Sequence, residues 1–468
     1  MNRCYNIFKN IQSPCITYFR NNYNYGRFLK DLPGTKCCVL SNGLTVATEE
    51  RQCNNVCMGI YIAAGSRYEN ETLNGVTHFF EHLAFKGTKK RPKTALESDI
   101  SKTGAKFSCF TTRDGTVYYV QCLSSEINLV ADIFFDCIFN NALSDSEIEL
   151  QKYTVYKEMI EYDKSSGKVL HDYLHSTAFQ GTPLGQTVMG PSYNLYNMKA
   201  SSISNYIDKM FVPERMVLVA VGGVKHTMML TLGENYFTKT ESESTKCRQS
   251  ITTGPDRYTG SQVVYRDDSM GIGHIAIAVE GPCFKDNDKI VMELASSVLG
   301  GWDKSQPGGT NHGINIAHIA SSGNLCESYK AFGYYYQDVG LWGVEFISSK
   351  EEVDNMLLTV QDEWMRLCYM ITDGELIRAK NEMKSQLIRQ LKTAVGACHN
   401  IGFSILRTGC PIDLSEKINS IDKITADDLQ KVCNAYIYDR CPVVAGIGST
   451  ENLLSYPRIR SYMYWLRV

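Results

Sequence analysis

The first part of the chain alternates short apolar runs with longer amphipathic ones. Two β-rich runs flank Asn42-Gly43, a dipeptide typical of a hairpin turn. The apolar run 56–63 follows, and 73–86 then has helical periodicity, with Gly87 suited to ending a helix. These runs predict a hairpin, a buried strand and a helix, in that order.

The pattern up to the middle of the chain predicts three further strands and five further helices. Ser144 and Glu147 have the spacing of a capping box, which predicts that a long helix begins there. The predicted helices span 94–104, 126–140, 144–162, 168–178 and 200–210, and the predicted strands span 107–112, 116–123 and 216–221.

A similar order of elements returns after a polar segment. Residues 241–260 are rich in Thr, Ser, Gly and Pro, which predicts a linker. Aligning residues 60–63 with 275–278 anchors the repeat, so we predict a duplicated α+β domain covering 36–240 and 261–468. The predicted strands of the second half are 274–279, 327–336 and 341–347, and its helices are 286–299, 353–370 and 373–391.

Composition excludes several classes of protein. The 468 residues allow two or more domains, and the 43% hydrophobic and 21% charged fractions are typical of globular proteins. A net charge of −2 gives no indication of nucleic-acid binding, and no apolar run approaches the roughly 20 residues that span a bilayer. The 17 scattered cysteines, without a Cys-x-x-Cys pair, predict reduced and mostly buried thiols.

The N-terminal 30 residues are basic and contain no acid, since the first acidic residue is Asp31. This composition is typical of a mitochondrial transit peptide, which we predict at about residues 1–35. A disordered basic tail is the alternative. The basic residues are Arg3, Lys9, Arg20, Arg27 and Lys30.

The strongest chemical signal is the segment 78–82, in which two histidines enclose Phe-Phe-Glu. On a helix His78 and His82 share one face, so both imidazoles can bind one tetrahedral metal ion. Glu81 can then act as general base toward a metal-bound water. The order of residues is the inverse of the common His-Glu-x-x-His helix.

A catalytic zinc site needs a third protein ligand, and Glu158 is the candidate. It lies on the predicted helix that begins at Ser144, on a stripe shared with Gln151 and Tyr162. A chance coincidence is the alternative, but the chain has only 9 histidines. The equivalent segment of the second half, 290–299, has none, so we expect the chemistry in the first half alone, with the second half closing over it.

Residues 75–88 resemble the signature of the pitrilysin-type (M16) peptidases. Within that family the chain is similar to the β subunit of the mitochondrial processing peptidase and to core protein one of respiratory complex III. The resemblance covers nearly the whole chain from about residue 36. It continues at 172–179, 181–185, 323–326 and 340–343, and ends at 458–461 and 465–467.

The resemblance implies two M16-type domains, each a mainly antiparallel sheet with helices. It also implies removal of basic presequences in the mitochondrial matrix, by a heterodimer with an α-type subunit that carries a glycine loop. His78, His82 and Glu158 would bind Zn²⁺, with Glu81 as base. Asp172 would hold a substrate arginine. The strand containing Ser108, Cys109 and Phe110 would pair with the substrate.

Several positions depart from the active pattern of the family. Gln151 replaces a usual glutamate, Lys168 replaces an acid that would hold the substrate arginine, and 108–110 replace Asn-Ala-Tyr. Repulsion by a lysine at about 4–6 Å would cost on the order of 1–4 kcal/mol. Alternatively, Lys168 is a solvated helix residue, and Glu161 or Asp163 takes the place of the acid.

These departures leave two main hypotheses open. The chain is either an active processing-peptidase β subunit or a structural core subunit of complex III with a weak or vestigial site. One polypeptide can also serve both purposes. A stand-alone oligopeptidase is the third hypothesis, which is disfavoured because such relatives are longer or pair two separate halves.

Overall fold

A computed structural model describes residues 33–237, 256–306 and 309–464. Residues 1–32 of the predicted leader, 241–255 of the predicted linker and the segment 465–467 lie outside these ranges. None of the helices in the described ranges combines the length and hydropathy needed to cross a bilayer.

The first half forms one mixed sheet of six strands in the order β1-β2-β6-β3-β5-β4. All its neighbouring pairs are antiparallel except β2 with β6. Central strands are buried on both faces, which is why they read as continuous apolar runs. The strands are β1 (Lys36–Val39), β2 (Thr45–Glu50), β3 (Asn55–Ile62), β4 (Lys106–Thr111), β5 (Thr116–Leu123) and β6 (Met216–Gly222).

Eight helices accompany this sheet within the described residues of the first half. They are α1 (Val76–Leu83), α2 (Lys93–Thr103), α3 (Ile127–Phe139), α4 (Asp145–Asp163), α5 (Ser166–Ala178), α6 (Ser192–Asn197), α7 (Ala200–Met210) and α8 (His226–Tyr236). Ser144 caps α4 by accepting a bond from the Glu147 backbone N–H at 3.4 Å. The predicted capping box is only half formed, because the Glu147 carboxylate instead accepts from Gln151 Nε2 at 2.8 Å.

The second half repeats this architecture with the strand order β7-β12-β8-β11-β10-β9. Only β7 and β12 pair in parallel. The strands are β7 (Gln262–Arg266), β8 (Ile272–Gly281), β9 (Gly301–Asp303), β10 (Ser328–Tyr335), β11 (Gly340–Ser349) and β12 (Val443–Gly448). The helices are α9 (Asp288–Leu299), α10 (Asn315–Gly323), α11 (Val353–Tyr369), α12 (Asp373–Lys392), α13 (Ala394–Thr408), α14 (Leu414–Lys423), α15 (Ala426–Tyr436) and α16 (Tyr456–Ser461).

The predicted duplication and α+β class are therefore confirmed, but the register of the repeat differs from the predicted one. Gly222 and Gly448, with φ of +131° and +96°, end the equivalent strands β6 and β12. They lie opposite Val56 and Gly273, so these two residues are equivalent. The sequence alignment instead matched Val56 with Gly271. A shift of two residues leaves every side chain on the same face, so the hydrophobic pattern could not detect it.

Each half contributes a helix to the other half's sheet. Leu170 and Leu174 of α5, from the first half, pack against Ala276 and Ala278 of β8 in the second sheet. Conversely, α13 from the second half packs on β3, β5 and β6 of the first sheet, through Ala397, Cys398, Ile401 and Ile405. The predicted domain limits 36–240 and 261–468 remain a prediction. Each sheet has a core of its own on one face and a core shared with the other half on the opposite face.

The same junction contains a buried ion cluster. Arg67, with 5% of its side chain exposed, contacts Asp256 of the predicted linker at 2.6 Å and Asp338 of the second half at 2.5 Å. Asp114 lies 3.7 Å from both Arg67 and Arg407 of α13. Burial raises the pKa of Asp114 to about 6, against the opposing effect of the two arginines. Removing one partner of such a cluster would leave a buried charge without a counter-ion, which is energetically costly. The cluster therefore fixes how the halves meet.

The described cysteines are not mostly buried, contrary to the expectation from the sequence. Of fourteen cysteines in the described residues, all are free, seven are buried and five are exposed.

We expect Leu174→Ala to lower the free energy of unfolding by about 2–5 kcal/mol, because it opens a cavity between α5 and the second sheet. Leu150→Ala on α4 is the control, since Leu150 is 60% exposed and should change stability by less than about 0.5 kcal/mol. Denaturant unfolding measures both. Equal effects for the two variants would contradict the helix exchange.

Candidate metal centre

The helix α1 that carries the histidine motif is fixed at its N-terminus by a buried carboxylate. Glu69, only 4% exposed, accepts bonds from the backbone N–H groups of Gly75 at 2.7 Å and Thr77 at 2.8 Å, and from Asn74 Nδ2 at 2.9 Å. The negative charge also complements the helix dipole. Gly75 has φ of +97°, and a Cβ there would lie 2.4 Å from the Met189 carbonyl oxygen, so glycine is required.

Three side chains converge between α1 and α4. His82 Nε2 lies 2.8 Å from Glu158 Oε2, and His78 Nε2 lies 3.5 Å from the same oxygen. One ligand atom from each of the three residues lies within 4.8 Å of the others. Side-chain exposure rises from 9% at His78 through 22% at His82 to 41% at Glu158, so the site opens to solvent on the side of α4.

The geometry and the donor set fit a zinc-type ion. Tetrahedral coordination with bonds of 2.0–2.1 Å places ligand atoms about 3.3 Å apart, close to the observed separations. His78 Nε2 and Glu158 Oε2 are both buried and make no hydrogen bond within the described part of the chain. Two imidazole nitrogens and a carboxylate oxygen form a known set of catalytic zinc ligands that leaves one position open.

The electrostatics of the three residues are strongly coupled. Burial lowers the pKa of His78, but the carboxylates of Glu158 and Glu81 outweigh burial and raise this pKa to about 9. His78 and His82 in turn hold the pKa of Glu158 well below its ordinary value. A metal ion that binds here must displace protons from its ligands, as metals generally do.

Glu81 lies beside this cluster and contacts β4. Its Oε2 is 3.7 Å from His78 Nδ1 and accepts a hydrogen bond from Thr111 Oγ1 at 2.8 Å. The Cys109 thiol donates to the Glu81 backbone carbonyl at 3.6 Å. The sequence reasoning named Cys109 only as part of a substrate strand and did not find Thr111.

The strand β4 is the edge of the first sheet and pairs only with β5 within the described residues. Cys109 and Thr111 face α1, whereas Phe110 packs against His399 and Phe403 of α13, with ring centres 5.3 and 6.2 Å apart. Ser108 alternates with Cys109 and is half-buried. The outer edge of β4 is therefore open to an extended segment.

Asp172 is not free, because both its carboxylate oxygens accept hydrogen bonds. Arg113 Nη2 donates to Oδ1 at 2.5 Å, and the Tyr162 hydroxyl donates to Oδ2 at 2.8 Å. Lys168 is exposed, and its Nζ lies 5.5 Å from the centre of the Tyr162 ring. Gln151 is buried, and its Nε2 donates to the Glu147 carboxylate at 2.8 Å.

The duplicated α+β fold and the converging His, His and Glu side chains define the metallopeptidase class of architecture. Two family models match: "Insulinase (Peptidase family M16)" over residues 45–192 and "Peptidase M16 inactive domain" over residues 197–404. The chain belongs to peptidase family M16. Members of this family are generally zinc-dependent.

Curated relatives of two kinds match at the same identity. Cytochrome b-c1 complex subunit 1, mitochondrial, of Rattus norvegicus is 39% identical over 465 residues, which covers 98% of this chain and 96% of the relative. Mitochondrial-processing peptidase subunit beta of Bos taurus is 39% identical over 436 residues, covering 93% of this chain and 89% of the relative. Overall identity therefore does not choose between them.

A solved structure shares the fold. One chain of complex III2 from Candida albicans, bound to Inz-5, superposes with a TM-score of 0.81 and 24% sequence identity. The match covers 92% of this chain and 100% of that chain.

We expect Glu69→Gln to lower the free energy of unfolding by about 1–3 kcal/mol, because an amide cannot accept all the bonds that the carboxylate accepts. The neighbouring exposed residue provides the control Glu71→Gln, which should change stability by less than about 0.5 kcal/mol. Chemical denaturation compares them. A Glu69→Gln variant as stable as the control would refute the role of Glu69 in holding α1.

Proposed function

We propose that the chain is the zinc-binding subunit of a processing-peptidase-type endopeptidase that removes presequences from imported precursors. The observation that carries the proposal is the convergence of His78, His82 and Glu158 on one point, with Glu81 beside them. The curated relatives named as processing-peptidase β subunits support the same function.

In the proposed mechanism His78, His82 and Glu158 would hold Zn²⁺, which would supply Lewis acidity and lower the pKa of bound water. The Glu81 carboxylate would take a proton from the attacking water and later deliver it to the leaving amine. The open edge of β4, at Ser108, Cys109 and Phe110, adds the substrate as an extended strand next to α1.

The partner we propose is an α-type M16 subunit, and the proposed location is the mitochondrial matrix, including the matrix face of the inner membrane. Support comes from the relatives, which are called mitochondrial and are called subunits. Asp172 remains our proposed contact for a basic residue of the presequence, although Arg113 and Tyr162 already bind its two oxygens.

The second candidate function is a core subunit of complex III with a weak or inactive site. It is supported by relatives named as subunit 1 of the cytochrome b-c1 complex. Three features also favour it, because together they weaken the attraction for a basic presequence. Asp172 is already bonded to Arg113, and Gln151 and Lys168 stand in place of acidic residues. A further role, in which one polypeptide serves both purposes, is compatible with both observations.

The direct test is purification with a recombinant α-type partner, followed by zinc analysis and a presequence-cleavage assay. We expect about one zinc per chain, loss of zinc in His82→Ala, and retained zinc in Glu81→Gln with kcat reduced about 10²- to 10⁴-fold, since the base is lost but the ligands remain. Stoichiometric zinc without cleavage, together with co-migration with complex III in native gels, would exclude the peptidase and support the core subunit.

Lys168→Glu tests the proposed subsite for a basic substrate residue. We expect kcat/KM to rise about tenfold for a presequence with arginine near the cleaved bond, because repulsion is replaced by attraction. Peptides with alanine in place of that arginine should show no rise. Lys164→Glu is the matched control, since Lys164 is equally exposed but bonded to Glu161 at 2.7 Å. Equal effects of both variants on both peptides would disprove the subsite.

A further inference from the structure

The strand β4 holds Glu81 at two separate points. The Cys109 thiol contacts its backbone carbonyl, and the Thr111 hydroxyl donates to its carboxylate Oε2 at 2.8 Å. These two residues are two positions apart, so they project from the same face of the strand toward α1. Glu81 is therefore held by β4 as well as by its own helix α1.

The bond from Thr111 engages one of the two carboxylate oxygens of Glu81. Oε2 accepts the hydroxyl at 2.8 Å. A glutamate at this place on a helix has three rotatable side-chain bonds, and only 17% of the side chain is exposed. One fixed oxygen restricts those rotations, and the same Oε2 lies 3.7 Å from His78 Nδ1, so the bond holds the carboxylate beside His78.

Thr111 lies at the end of β4, where neighbouring contacts hold it in place. Thr111 pairs with Thr116 of β5, and the Thr116 hydroxyl donates to the Ala64 carbonyl at 2.7 Å. The next residues of the turn, Arg113 and Asp114, are tied to Asp172 of α5 and to Arg67. The hydroxyl that contacts Glu81 thus belongs to a turn that is fixed on both sides.

We propose that Thr111 is a positioning residue that orients the Glu81 carboxylate for its work as general base. The inference rests on the proposed peptidase function, and it adds a residue to the reaction. Thr111 acts through Glu81 and need not touch the substrate, so its loss should affect the chemical step more than binding.

The kinetic test compares Thr111→Val, which has the same shape but no donor, with Thr111→Ser, which keeps the hydroxyl. In the zinc-loaded complex with the α-type partner, we expect Thr111→Val to lower kcat about 10- to 100-fold, with KM within about twofold and zinc content unchanged. Thr111→Ser should recover most of the loss. A rise in KM with kcat unchanged would overturn the proposal, because it would make Thr111 a substrate contact.

The matched control is Thr154→Val on α4. Thr154 is exposed one turn before Glu158, and its hydroxyl donates only to the Leu150 carbonyl of its own helix. The same chemical change so close to the site should leave kcat within about twofold, since surface substitutions rarely act at a distance. A loss as large as that of Thr111→Val would show that the effect is not specific to Glu81, and would overturn the proposal.

A second measurement does not depend on activity. We expect Thr111→Val to lower the thermal midpoint of the metal-free chain in the wild-type background but not in a Glu81→Ala background, where the hydroxyl has no carboxylate to bind. Equal shifts in both backgrounds would exclude coupling between the two residues. If the wild-type complex fails to cleave presequences, the proposed function fails, and this comparison alone decides whether Thr111 positions Glu81.

Discussion

The packing of α5 and α13 on each other's sheets is the constraint on which the rest of the molecule depends. Each sheet has one face covered by helices of its own half and the other face covered by a helix from the opposite half. Gly402 allows the close approach on one side, since a Cβ there would lie 2.4 Å from the Tyr61 ring. The two halves therefore cannot separate without exposing apolar surface on both sheets.

The turn between β4 and β5 connects the junction of the two halves to the candidate metal site. Within four residues it bonds Glu81 through Thr111, Asp172 through Arg113, and Arg67 through Asp114. Asp172 lies on α5, and Arg67 contacts Asp256 and Asp338, so the same turn contacts Glu81 and the junction of the halves. Buried charge clusters tolerate few alternative arrangements, because an unpaired charge in the interior is costly. The position of Glu81 is thus set by the fold as a whole.

Much of this architecture could be predicted from the sequence because the strands are buried and the helices are amphipathic. The predicted strand 116–123 and the predicted helix 200–210 have the observed limits, and most other predicted elements differ by one to three residues, but the pattern did not predict α13 or β12. The helix exchange could not be predicted, since an apolar face on α5 does not reveal which sheet it covers. The shared face of His78 and His82 followed from helix spacing. The partners of Glu81 and Asp172 did not, although alternation along β4 places Thr111 on the face of Cys109.

The state of Asp172 bears most directly on the choice between peptidase and core subunit. The negative charge of a carboxylate that accepts bonds from both Arg113 and Tyr162 is largely compensated, so it attracts a substrate arginine only weakly. Lys168 adds a positive charge beside Tyr162. The candidate metal ligands His78, His82 and Glu158 form a separate cluster, so we expect zinc binding and the attraction of a basic presequence to depend on different side chains. A chain of this family can therefore keep an intact metal site while its recognition of substrate changes. For this chain, charge in the cleft is the more informative guide to function than the histidine motif.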